Sequence, residues 1–248
     1  MADIVKIVEE KPIPKQPIII TGLPDVGLVG VIAAYEIISY LKMQEIARVE
    51  SELFPPMVVL HEGLPYAPVR FFGHGNLVTL VSEIALPSLA VAPISEAIVK
   101  WAREKKAELI ISIGGVAEQD RQNIKNLDVF GAASDRTSLQ ILEDHNIKIL
   151  EEGYLVGAYA LILKDCVEKK IPSISLLAQS FYNYPDPEAA AAVLTELNKL
   201  LGTNIDTSDL IKRGEEIRLK ARDVMKRTEV EMEEMRKTQE YDVPPLYV

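Results

Sequence analysis

The sequence predicts an α/β protein: a three-layer sandwich with helices on both faces of a mixed, mostly parallel sheet, then a long C-terminal helix and an extended tail. Three observations carry this reading. Short apolar runs alternate with longer amphipathic segments, as where "PIIITG" leads into "GLVGVIAAYEIISYL" and "APISEAIVKWAREKK" leads into "AELIISIGG". The short runs are apolar almost throughout, as in strands buried on both faces, whereas half-exposed antiparallel strands would alternate. After position 201 the strand pattern stops and charged helix-forming residues take over.

In chain order, strands are expected at 18–21, 57–60, 77–82, 109–113 and 173–177. Gly73 and Gly75 in "RFFGHGNL" fall in a short connection between two strand-like runs, so one antiparallel hairpin makes the sheet mixed. Asp186, Pro187 and Glu188 read as N-cap, first helical position and first-turn acid of a helix, and the alanines that follow favour close packing. Thr207 and Ser208 are N-cap candidates for a final helix over 208–240. Its apolar stripe, Ile217, Ala221, Val224, Thr228 and Met235, is too narrow for a core helix. A mostly solvated arm of about 45 to 50 Å is therefore expected. Pro244 and Pro245 end it, which divides the chain into a core at 1–204, an arm at 205–240 and a tail at 241–248.

At 248 residues and 48% apolar content the chain can bury a large core. A net charge of -10 repels a phosphate backbone, and no basic run offsets it, so nucleic acid is excluded as the main partner. The lone cysteine, Cys166, cannot form an internal disulfide, and "MADIVKIVEE" lacks a basic n-region and an apolar signal core. A cytoplasmic location is expected. No apolar stretch reaches the ~20 residues of a bilayer span, so no membrane is expected as a partner.

The candidate chemistry centres on "TGLPDVGLVG". Gly22 and Gly27 have P-loop spacing, yet Leu28 and Val29 stand where Lys and Ser/Thr would hold phosphates and magnesium, and Asp25 places a negative charge inside the loop. Read structurally, Gly22 permits a tight turn while Gly27 and Gly30 let the helix approach the sheet. Read functionally, the carboxyl ends of the strands line one edge, so Gly22, Asp25, Gly27, Glu83, Gly114 and Gly115 would border a ligand crevice, with Glu118, Gln179 and Ser180 beside them. His61, His74 and His145 form no metal-ligand spacing, and no serine lies in G-x-S-x-G. Cys166 lies mid-helix as an inert thiol. No metal, cofactor or catalytic residue is assigned.

The stretches "PIIITGLPDVGLVGVIAAYEI", "PYAPVRFFGHGNLVTLVSE" and "AELIISIGGVAE", with a long C-terminal helix ending in "LYV", resemble the archaeal proteasome-assembly-chaperone family, relatives of the second eukaryotic proteasome assembly chaperone. The resemblance implies a fold like that of nucleoside phosphorylases without their activity, hence no enzyme. It also implies that a terminal hydrophobic-Tyr-any-residue motif, matched by Leu246, Tyr247 and Val248, docks into the α-ring of the 20S proteasome. A terminal carboxylate suits a lysine-bearing pocket, and Tyr247 adds ring area and a hydroxyl. Burying Leu246 and Tyr247 contributes about 1.5 to 3 kcal/mol each, much of it offset by ordering the tail. Several tails on a homo-oligomer would raise avidity, so a homo-oligomer is expected. Two other readings stand beside this one. One is a nucleoside or phosphate enzyme or binder at the glycine-rich crevice. The other is a C-terminal helix that straps subunits together.

Overall fold

The computed structural model describes residues 4–241, so Leu246, Tyr247 and Val248 lie outside the described residues. The strands are β1 (Val5–Glu9), β2 (Ile18–Gly22), β3 (Gln44–Ser51), β4 (Val59–His61), β5 (Leu64–Tyr66), β6 (Val69–His74), β7 (Leu77–Ser82), β8 (Leu109–Ala117), β9 (Val129–Ala133), β10 (Lys148–Ile149) and β11 (Ser173–Ser180). The helices are α1 (Val29–Tyr40), α2 (Ser88–Glu104), α3 (Arg136–Asp144), α4 (Ala158–Lys169), α5 (Pro187–Leu201), α6 (Ser208–Lys212) and α7 (Gly214–Glu234). Nine strands form one sheet in the order β1-β3-β6-β7-β2-β8-β11-β9-β10. Its centre, β7-β2-β8-β11, is parallel, while β1, β3 and β6 run antiparallel to their neighbours and β9 antiparallel to β11.

Neighbouring side chains of a strand point to opposite faces, and this builds the three layers. Ile19 and Ile110 face α2 and α4, where Ile94, Ile98 and Ile162 are buried. Ile20 and Ile111 face α1 and α5, with Ile37, Val193 and Leu197. The continuous apolar runs of β2 and β8 thus serve two cores at once. The β6–β7 hairpin turns through Gly75, whose φ of 59° is left-handed, in register with His74 opposite Leu77. Asp186 caps α5, accepting from the Ala189 N–H at 3.1 Å.

Two expectations are corrected. The run at 57–60 is no central strand. It enters β4, which pairs with β5 in a separate two-stranded sheet through a turn at Glu62 and Gly63, both at positive φ. Leu60 and Leu64 are 65% and 59% exposed, so the apolar character of this run reflects a surface hairpin and not a core strand. The C-terminal helix is long, as expected, but it is not continuous, and one face of it packs on the core while its outward face stays exposed. It breaks between Lys212 and Gly214, ends at Glu234 and gives way to a 3-10 turn at Lys237–Tyr241. Met225 and Met232 widen its apolar stripe and, with Thr228, are buried, and α7 lies against α2, α5 and the Val26–Leu28 turn. No helix among the described residues is long and apolar enough to cross a membrane.

Candidate functional site

The loop between β2 and α1 is built on close backbone approach. A Cβ on Gly22 would lie 2.4 Å from the Gly30 carbonyl oxygen, one on Gly30 would lie 2.4 Å from that of Ile113, and one on Gly115 would lie 2.6 Å from that of Val26. Gly27, at φ 61°, has room for no side chain either, since its Cβ would fall 2.0 Å from Ser180 Oγ. Gly114 abuts the Tyr159 ring. These glycines let the turn, α1 and β8 touch directly, and the cavity remaining beside Asp25 and Tyr159 is about 20 Å³, room for a single water.

The chain itself fills this edge of the sheet. Lys237, 1% exposed, extends its ammonium to within 2.8 Å of Asp25 Oδ2 and 2.8 Å of Glu240 Oε1. It also donates to the Val156 carbonyl and the Tyr159 hydroxyl, and lies 4.0 Å from the centroid of the Tyr159 ring. Glu240 Oε1 accepts from the Val156 N–H and from the Tyr159 hydroxyl, each at 2.6 Å. Burial holds the Asp25 and Glu240 carboxyls above the usual carboxylate range, with Lys237 opposing the shift in both. Burial likewise pushes the Tyr159 hydroxyl up, helped by the two carboxylates.

Glu83 lies apart from Asp25. It pairs with Arg70 and lies 2.9 Å from His61 Nε2, while Arg70 reaches Glu45 at 2.8 Å. The Arg70 guanidinium also packs on the Tyr66 ring at 4.9 Å, so this group pins the β4–β5 hairpin to the sheet. On its other side Glu83 borders a groove of about 550 Å³ between α1 and α7, floored by Leu28, Val31, Ile217 and Val224. Arg121 forms a third cluster that the sequence reading did not find. It grips Asp186 through two parallel bonds of 2.7 and 2.9 Å, and donates to Glu188 at 2.8 Å. Glu118 accepts from Gln179 Nε2 at 2.8 Å. Among the described residues no three His, Cys, Asp or Glu side chains converge on a metal position. Burial raises the Cys166 thiol to about 11, which keeps it protonated.

No linear spacing could have revealed Lys237, because its partner Asp25 is 212 positions away. Arg121 has a weaker sequence signal, a lone basic residue just after the predicted strand at 109–113.

Comparison with known proteins follows the same architecture. PbaA of Pyrococcus furiosus, an archaeal homologue of proteasome-assembly chaperone, superposes with a TM-score of 0.86 at 33% identity, covering 91% of this chain and 98% of that one. PbaB of the same organism, an archaeal proteasome activator, superposes with a TM-score of 0.75 at 26% identity over 90% of this chain and 99% of its own. A protein of Methanocaldococcus jannaschii is 30% identical over 249 residues, covering 100% of both chains. The PAC2 family model matches residues 19–225. With that match running from the strand before the glycine-packed first turn to Met225 in α7, the chain belongs to the PAC2 family.

Proposed function

We propose that this protein is a non-enzymatic, homo-oligomeric assembly chaperone or activator of the 20S proteasome, and that it docks Leu246, Tyr247 and Val248 into pockets of the α-ring. The observation that carries the reading is the likeness, over nine-tenths of this chain or more, to PbaA and PbaB, together with the closing residues "LYV". The fold supports it in a second way. The C-terminal segment is gripped by the core as far as Glu240, so residues 242–248 start from a fixed point and reach at most roughly 25 Å. Anchoring the base of a docking peptide reduces the chain entropy lost on binding. Each tail alone binds weakly, and several equivalent tails on one oligomer bind strongly.

The test is binding of a 20S core particle, or its isolated α-ring, to the full-length protein and to a version lacking residues 246–248, with oligomer size measured for both. Binding that vanishes with the tail at unchanged oligomer size supports docking. Binding that is unaffected by the deletion overturns it, and a change in subunit count instead favours the strap reading. A second reading, a small-molecule binder, is favoured by the groove of about 550 Å³ beside Tyr35 and Glu83. It predicts thermal stabilisation by a nucleoside or phosphate ligand that is lost in Glu83→Ala.

A further inference from the structure

The buried ammonium of Lys237 is surrounded by groups that belong to the core. Asp25 comes from the turn after β2, and the Val156 carbonyl and Tyr159 come from the entry to α4; they stand 212, 81 and 78 positions from Lys237. Glu240 alone travels with the lysine. Four oxygens face a group with three N–H bonds, and an aromatic face closes a fifth side. Gly157, at φ 104°, opens the approach, since even a Cβ there would touch the lysine nitrogen at 3.4 Å. With about 20 Å³ spare beside it, the enclosure fits a compact ammonium and excludes a planar guanidinium. Of the core groups Asp25 is the one carboxylate, and with the oxygens of Val156 and Tyr159 beside it the enclosure favours a cation.

The rest of the grip on this segment is also polar. The Ser88 N–H at the start of α2 donates to Glu231 at 2.6 Å, and the Ser88 hydroxyl bonds to Glu234. Beyond the buried Met232, the described residues add one apolar anchor, the half-buried Met235 that touches both cores, and the other contacts are ionic or hydrogen-bonded. Segments attached in this way open locally before the core does.

We propose that Asp25, Val156 and Tyr159 form a receptor for a primary alkylammonium group, that Lys237 occupies it in cis, and that this occupancy latches the C-terminal segment to the core. Where the tail docks as proposed above, the latch also fixes the base from which the tail extends; that extension rests on the docking reading, while the receptor itself does not. A lysine of another chain, presented to the same enclosure, would compete with Lys237 and free the segment.

The experiment uses the full chain carrying Lys237→Ala, in which truncation leaves a channel the width of an alkyl chain. Hydrogen exchange at 235–241 is expected to accelerate about tenfold or more while the sheet stays protected, the response of a local opening. Added n-butylammonium should restore protection. Tetramethylammonium and guanidinium at equal concentration should not, and Asp25→Asn in the same background should abolish the rescue. Exchange at 235–241 unchanged in the variant, or acceleration with no selective rescue, overturns the proposal. Should Lys237→Ala fail to fold, Lys237→Met keeps the packing without the charge, and unchanged exchange there overturns the latch. No proteasome enters these measurements, so failure of the latch and failure of docking are read separately.

Discussion

Arg121 and Lys237 are both buried at the carboxyl edge of the sheet, each against an aspartate from a strand-to-helix turn, and each is held by a different logic. Arg121 meets Asp186 as a planar fork on two parallel bonds, and Asp186, 0% exposed, also caps α5. Lys237 meets Asp25 as a point charge shared among four oxygens. The first pair ties together two turns of the core, and the second fastens the end of the chain to it. The two are also neighbours, because the Asp186 N–H donates at 2.8 Å to the carbonyl of Gly27, two residues past Asp25.

The largest effect is expected from Arg121→Ala, which strands a fully buried carboxylate and weakens the α5 cap. A cost of about 3 to 5 kcal/mol, or roughly 10 °C in Tm for a chain of this size, should appear in thermal unfolding of the whole molecule. Lys237→Met should cost less, about 1 to 3 kcal/mol, because Asp25 and Glu240 can take up a proton once the ammonium is gone. The pH dependence has a definite sign. Both carboxyls have folded values raised by burial, so their protonation favours the folded state at low pH, and that contribution is lost as pH rises through the folded values. The deficit of Lys237→Met relative to wild type should therefore grow as pH rises above the ordinary carboxylate range; a deficit that shrinks with pH would show that the carboxylates are not what the lysine neutralises.

Gly27→Ala probes whether the two clusters are linked. Its Cβ meets Ser180 Oγ and its φ disfavours any side chain, for about 1 to 2 kcal/mol, and exchange should rise both at the start of α5 and at 235–241. A rise at one place alone would make the clusters independent. The smallest effect belongs to the β4–β5 hairpin, where Leu60→Ser should stay within about 0.5 kcal/mol in the same unfolding assay because the side chain is already mostly in water.

The central strands were legible because burial on both faces demands apolar residues at consecutive positions, as Ile19 and Ile20 show by serving opposite cores. The same rule misread "MVVL", since an apolar run states nothing about what covers it. Pro55 and Pro56 before it and the Glu62-Gly63 turn after it were the signals against a central strand. β3 was missed for the opposite reason, its "QEIARVES" mixing apolar and charged residues as a half-exposed strand does. In α7 the visible stripe omitted Met225 and Met232, and with them the helix is wide enough to bury a face. Asp186 was recognisable as a cap because its partner is three residues on, whereas its bond to Arg121 spans 65 positions and left no local trace.

The separation of 212 positions between Asp25 and Lys237 has a consequence for biosynthesis. Domains begin to fold as they are synthesised, N-terminal parts first. The first strand-to-helix turn is therefore complete long before the ribosome reaches codon 237, and until then Asp25 has no counter-charge in the enclosure that will surround it. A product terminated early would keep the whole nine-stranded sheet yet retain an unneutralised carboxylate at its edge and an uncovered apolar strip where Met225 and Met232 belong. Such a chain presents the features that quality-control proteases act on. The Asp25 enclosure is thereby closed only after every strand of the sheet has been made.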